Sequence, residues 1–262
     1  MKVVQQIFLH NKHCELFSVW RYPESIKEIA VLIAGFGHPA CDKDYFMSNL
    51  AQDLVDCGVL AIQLDLCGHG DSDGELVHLS DDEIFQDIQL LIDLIKEDYF
   101  LMQKPITIIS RGVMGICLSK MMTKLSVTRC LAIAPPLFTE ELCNFIINSF
   151  QLMKCASYNE YLCAENGLSE QETKNLFELL GAHHSNLRGQ LIPFSFLSEH
   201  IHMHVPKQSR GTIWIANDGE SYQCKATFTE PLLIGNLSEG TKLFSRDPED
   251  KYYLCQTIIN LF

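Results

Sequence analysis

Several side chains in this sequence have types and spacings that chemistry can use. His200-Ile201-His202-Met203-His204 puts three imidazoles on one side of an extended segment. Such a row can bind zinc when a fourth ligand joins it, and His183-His184 lie nearby in sequence. No acidic or thiol partner at a familiar interval completes a known site. The expectation is therefore no metal and no cofactor, with these three histidines as the candidates if a metal binds. Arg111 falls between a predicted strand and a predicted helix. A guanidinium there can clamp a carboxylate or phosphate, or it can pair with a nearby acid or face solvent. Cys41 precedes a predicted helix whose N-terminus can activate a thiol, against the plainer reading of a loop cysteine. Cys117 sits on the first turns of the helix after Arg111 and is expected to face the core. Asp218 and Glu220 supply carboxylates within Asn217-Asp218-Gly219-Glu220.

The elements that must hold these residues follow from hydrophobic periodicity. Val3–Leu9, a turn at Asn11-Lys12 and Cys14–Trp20 predict a β-hairpin. Ile29–Ala34 is a continuous apolar run, suited to a buried parallel strand, and it ends in Gly35-Phe36-Gly37. Asp44 to Cys57 has helical spacing, with Gly58 as its C-cap. Val59–Leu66 predicts another buried strand, followed by the glycine-rich loop Cys67–Gly74. Ser80-Asp81-Asp82-Glu83 has the form of a capping box ahead of a helical face of Ile84, Ile88, Leu91, Ile92 and Ile95. Pro105–Ile109 predicts a strand, Val113–Leu125 a helix, and Val127–Ala134 a strand that stops at Pro135-Pro136.

Strand–helix alternation from residue 29 to 136 predicts an α/β fold with a doubly wound, mostly parallel sheet. Residues 137–205 read as helices and an irregular stretch, an insertion that caps one end of the sheet. Alternation resumes at Thr212–Ala216 and Thr227–Ile234, with a last helix at about Asp247–Phe262. The predicted core is thus 1–136 with 206–262, and the predicted helical cap is 137–205.

With 20 basic against 33 acidic residues, the formal charge of −13 repels nucleic acid and anionic membranes, so neither is an expected partner. No apolar stretch reaches the roughly 18–20 residues of a membrane span. Met1-Lys2 leads into a mixed strand rather than a basic stretch and an apolar run, so no secretory signal is expected. The eleven cysteines are scattered without a C-x-x-C pair. Most sit in apolar runs, as Cys57, Cys130 and Cys143 do, which predicts small core residues, reduced thiols and a cytoplasmic chain.

The element order resembles the α/β-hydrolase superfamily. Val31–Gly37 resembles its strand and oxyanion loop. Asp65-Leu66-Cys67-Gly68-His69-Gly70-Asp71-Ser72 resembles the D-x-x-G-x-G-x-S loop of its serine-aminopeptidase-like branch. Within that branch, Gly70–Glu75 is similar to the small hydrolase-like proteins associated with exosortase systems. The resemblance implies a nucleophile elbow of the form G-x-S-x-G. Here the strand runs into Ser110-Arg111-Gly112-Val113-Met114-Gly115, which puts Gly112 or, one residue back, Arg111 at the nucleophile position. Met114 is large for its small-residue position. The resemblance also implies a late histidine, but the last histidine is His204, and Gly240-Thr241-Lys242-Leu243-Phe244 carries Thr241 where the family has it. Glu220, beside Asp218, takes the acid position. His69 takes a position that the family fills without catalytic use.

The resemblance therefore implies a pseudo-hydrolase that binds an acyl-type ligand or a protein partner in the former active-site cleft. The expected pocket lies between cap and strand ends, touched by Phe36, Gly37, Arg111, Gly112 and Glu220. The alternative is an active hydrolase or acyltransferase on an ester or thioester, using a non-standard nucleophile. The sequence leaves the oligomeric state open.

Overall fold

The computed structural model describes residues 3–11, 13–134, 211–215 and 248–262. Their strands form one sheet in the order β1-β2-β4-β3-β5-β6-β7. β1 (Val3–His10) and β2 (Glu15–Tyr22) are the antiparallel hairpin, in register from Val3 opposite Tyr22 to His10 opposite Glu15. β2 lies antiparallel on β4 (Val59–Leu64). β3 (Glu28–Ile33), β4, β5 (Ile106–Arg111), β6 (Arg129–Ile133) and β7 (Thr212–Ile215) pair in parallel. β4 and β5 are buried along their whole length. Their apolar runs do not alternate because helices cover both faces.

The four α-helices among the described residues divide between those faces. α2 (Asp81–Glu97) and α3 (Val113–Met121) pack with Val31, Ile62 and Ile108 in one core cluster. α1 (Phe46–Asp56) and α4 (Pro248–Ile259) pack with Leu32, Ala61 and Ile109 in the other. This is the doubly wound arrangement that the period-two side-chain alternation of the strands demands. Ser80 caps α2 as expected: the Glu83 N–H donates to Ser80 Oγ at 3.2 Å, and Asp81, Asp82 and Glu83 lie at the positive end of the helix dipole.

Some boundaries differ from the sequence expectation, for local reasons. The helix predicted from Asp44 starts at Phe46, because Asp42, Asp44 and Tyr45 adopt positive φ (58°, 53° and 60°) and form a separate tight turn. α3 stops at Met121, four residues early, where the Lys124 and Leu125 N–H groups both turn back to the Met121 carbonyl. Cys57 is exposed and not a core residue: it is the C-cap of α1, where the chain leaves the core through Gly58 at φ 87°. Cys130 and Cys117 are buried, as their apolar surroundings predict. Cys143, the cap segment 137–205 and the strand expected at Thr227–Ile234 lie outside the described residues.

Candidate functional site

Parallel strands deliver their C-terminal ends to one edge of the sheet, where open α/β sheets bind ligands. Four loops meet there: Ala34–Asp42 after β3, Asp65–Gly74 after β4, Gly112 after β5 and Ala134 after β6. Gly112 forms the whole strand-to-helix turn, with φ 63° and ψ −142°. A side chain is strained in that conformation, and glycine is not. The Gly112 N–H donates to the Ile133 carbonyl at 2.9 Å, and its own carbonyl accepts the Gly115 N–H at 3.1 Å. The small residue that lets α3 approach β6 is Gly115, where a Cβ would come within 3.0 Å of Ala132 Cβ. Met114, one position earlier, is free to be large and packs into the α2–α3 core.

Ser110 lies inside β5, fully buried, with no hydrogen-bond partner for its hydroxyl. Arg111 ends the strand and is also buried. Its Nη1 bonds Asp42 Oδ2 at 3.0 Å, and its guanidinium carbon stands 5.5 Å from the centre of the Phe46 ring. His38 Nδ1 lies 3.8 Å from the other oxygen of Asp42. Of the roles open to Arg111, the structure shows the pair with an acid. Phe36 is a fully buried member of the core cluster that α2 and α3 share. Gly37, half-buried at φ 71°, makes the turn beside it. His38 and Asp42 were missed by the sequence reading. They belong to a buried cluster that no spacing announces, since Asp42 and Arg111 meet only through the sheet.

The glycine loop has a structural task. Asp65 accepts N–H groups from Ala40 at one carboxylate oxygen and from Asp71 at the other, so it ties its own loop to the loop after β3. Gln63 holds the Ala40 carbonyl at 2.9 Å from the same strand. A Cβ on Gly70 would overlap the Asp65 carboxylate, which explains that glycine. Ser72 Oγ donates to the Asp65 carbonyl at 2.7 Å and accepts the Phe17 N–H at 2.8 Å, fastening the loop to β2. Burial pushes the Asp65 carboxyl up to about 6. Burial also pushes His69 down to about 4. Its Nδ1 lies 3.2 Å from the Cys67 carbonyl, and its Nε2 is buried without a partner.

These two shifts oppose each other in their effect on stability. The Asp65 contribution is complete below its ordinary value of 3.8 and is lost as pH rises through about 6. The His69 contribution is complete above its ordinary value of 6.5 and is lost as pH falls through about 4. Each amounts to about 3 kcal/mol. The variant His69→Gln removes only the second. Relative to the parent protein it is expected to gain about 3 kcal/mol between about pH 7 and pH 4. Urea unfolding at a series of pH values reads the difference, and a difference that does not change with pH refutes the assignment.

The candidate thiols are poor nucleophiles. Burial, with Asp42 and Asp65 nearby, raises Cys41 above the ordinary thiol range. Cys117 is buried, also raised, and its Sγ is 3.3 Å from Asp81 Oδ1. Glu220, Asp218, Thr241, Lys242 and the His183, His184, His200, His202 and His204 imidazoles lie outside the described residues. A groove of about 340 Å³, lined by Ile7, Trp20, Tyr22, Leu94, Glu97, Asp98 and Leu101, is at the opposite end of the parallel strands. Trp20 and Arg21 pair with Ile62 and Ala61 midway along β4, and this antiparallel register carries Tyr22 toward the start of β4.

No family model and no curated protein matches this sequence. Solved structures do match. A serine hydrolase homologue with an α–β fold from Coxiella burnetii aligns over 98% of this chain and 97% of its own, at TM-score 0.57 and 11% identity. An α/β hydrolase from Penicillium aligns over 82% and 80%, at TM-score 0.58 and 14% identity. An esterase from Pyrococcus furiosus aligns over 82% and 71%, at TM-score 0.55 and 14% identity. The chain has the α/β-hydrolase fold.

In the α/β-hydrolase fold the strand-to-helix turn after β5 is where a nucleophile is carried, and the loop after β3 supplies an N–H group to the oxyanion. In this chain Gly112 makes that turn, and Gly35–Gly37 opens that loop. Among the described residues no helix is long and apolar enough to cross a membrane.

Proposed function

We propose that this hydrolase-fold chain is a pseudo-hydrolase: it binds an acyl-type ligand at its strand ends and does not cleave it. The observation that carries the reading is Gly112 at the apex of the turn. An acyl-transfer nucleophile needs a side-chain oxygen or sulfur at that point. Ser110, two residues earlier, is buried within the strand and does not reach the apex. The late histidine of the fold's catalytic order is missing as well, because no histidine follows His204 in the sequence. Imidazole is the usual base near neutral pH because its ordinary pKa lies there.

At Gly112 no side chain occupies the position where a nucleophile would stand. The backbone N–H groups at the start of α3 and in the loop after β3 are suited to hold a carbonyl or carboxylate there. Residues 137–205 would supply the apolar cover as a cap, and Glu220 the acid turn. Arg111 is not assigned to the ligand, because its guanidinium is bonded to Asp42. The alternative of an active enzyme with a thiol nucleophile is disfavoured by the raised pKa values of Cys41 and Cys117.

Thermal-shift screening against fatty acids, acyl-thioesters and phosphorylated head groups tests the reading. A ligand at a hundredfold excess over its dissociation constant stabilises the native state by about 2.7 kcal/mol. Gly112→Ala fills the apex with a methyl group and is expected to weaken the same ligand, measured by calorimetry on the folded variant. If no compound shifts the melt, acyl binding fails and a protein-interaction scaffold takes its place.

A further inference from the structure

The hairpin turn and the glycine loop are stitched together, and each brings a thiol to the seam. Cys14 closes the turn, its carbonyl accepting the Asn11 N–H at 2.9 Å. The next residue, Glu15, exchanges two bonds with the loop. Its carbonyl accepts the Asp73 N–H at 2.9 Å, and its N–H donates to Asp73 Oδ2 at 3.2 Å. On the other side Asp87 spans both segments, accepting the Cys67 N–H at 2.9 Å and Asn11 Nδ2 at 2.8 Å. Cys67 packs against the core cluster that contains Cys14, and each thiol shifts the pKa of the other. Cys14 is buried and Cys67 half-buried, so Cys67 is the nearer of the two to solvent. The loop closes tightly around that sulfur: a Cβ on Gly74 would stand 2.5 Å from Cys67 Sγ.

We infer that Cys14 and Cys67 are a disulfide-forming pair, a modification site at which a small-molecule disulfide joins the β1–β2 hairpin covalently to the glycine loop. The chemistry is thiol–disulfide exchange. The Cys67 thiol gives up its proton, and the thiolate attacks one sulfur of oxidised glutathione. A mixed disulfide forms and one glutathione leaves. Cys14 then loses its proton and attacks Cys67 Sγ, forming the Cys14–Cys67 bond and releasing the second glutathione. Two protein thiols are oxidised, and one glutathione disulfide is reduced to two thiols.

The surroundings set the rate. Burial and the carboxylates of Asp87 and Glu83 keep both thiols protonated, so exchange is slow at neutral pH and quickens as pH rises. The pair therefore acts as a lock set by sustained oxidation and not as a fast sensor. Its consequence is local to the cleft, because the same loop carries the Asp65 link to Ala40.

The test uses the folded full-length chain, incubated with oxidised glutathione at a series of pH values, then alkylated and mapped by mass spectrometry. The expected product is an internal Cys14–Cys67 cross-link that forms faster at higher pH, raises the melting temperature and is dissolved by dithiothreitol. Exposed Cys57 is expected to stop at the mixed disulfide, which serves as an internal reference. Cys14→Ser is expected to leave Cys67 as a glutathione adduct. Should that variant fail to fold, the peptide map of the parent protein decides alone. The inference is overturned if Cys67 accumulates as its glutathione adduct in the parent protein. It is equally overturned if Cys14 and Cys67 both remain alkylatable after Cys57 has reacted.

Discussion

Purified protein is expected to turn over activated esters at the background rate and to leave a fluorophosphonate probe unreacted. Nucleophile and base work as a unit in acyl transfer, so a site without both should lose most of its rate, on the order of 10⁶-fold. In this chain the apex residue is Gly112, and no histidine stands after His204. Restoring one part is not expected to restore the reaction. Gly112→Ser places a hydroxyl at the apex but puts a side chain at φ 63° and ψ −142°. That conformation costs a residue with a Cβ about 1–3 kcal/mol. The variant is thus expected to melt earlier than the parent and still show no turnover, because no late histidine is there to take the hydroxyl proton. Stoichiometric probe labelling of the parent protein, or turnover well above background, refutes the pseudo-hydrolase reading. Labelling that vanishes in Cys41→Ala would name the nucleophile.

The fold was legible wherever burial repeats with the period of an element. Val59–Leu66 and Pro105–Ile109 read as buried strands because continuous apolar runs suit a sheet covered on both faces, and the strands run Val59–Leu64 and Ile106–Arg111. The α2 boundary was legible because Ser80 and Glu83 form a local cap. What the sequence hid is what tertiary contact decides. Asp42, Asp44 and Tyr45 carry no glycine to announce their positive φ, so the start of α1 was misplaced. Phe36 adjoins two glycines at the end of a strand, and only the fold shows its ring in the core. Arg111 offered several partners from sequence, and only the folded sheet selects Asp42. The D-x-x-G-x-G-x-S match was legible as a loop, but its cause was not. Gly70 is required by the Asp65 carboxylate beneath it and not by a reacting group.

Asp42→Ala is expected to destabilise the protein by about 3–5 kcal/mol, because it removes the carboxylate bonded to a buried guanidinium. Both side chains are nearly inaccessible, 7% exposed for Arg111 and 1% for Asp42, so solvent screens the pair little. The desolvation cost of Arg111 remains after the acid is gone, and the loss exceeds that of a surface ion pair for this reason. Asp42 also sits at φ 58°, where Asn is better tolerated than Ala. Asp42→Asn therefore isolates the charge from the backbone effect and should fall between the parent and Asp42→Ala. Arg111→Met removes the other charge while keeping an apolar stem against Phe46. If the ion pair is what matters, the double variant Asp42→Asn/Arg111→Met costs less than the sum of its single changes, by about 0.5–3 kcal/mol. Denaturant unfolding of the four proteins at neutral pH closes the cycle. Strict additivity, or an Asp42→Ala loss below about 1 kcal/mol, would mean that the pair behaves as an exposed one. A large coupling would instead make Asp42 the brace that holds the loop after β3 against the strand leading to Gly112. The shape of the bare apex would then depend on a residue that no ligand touches.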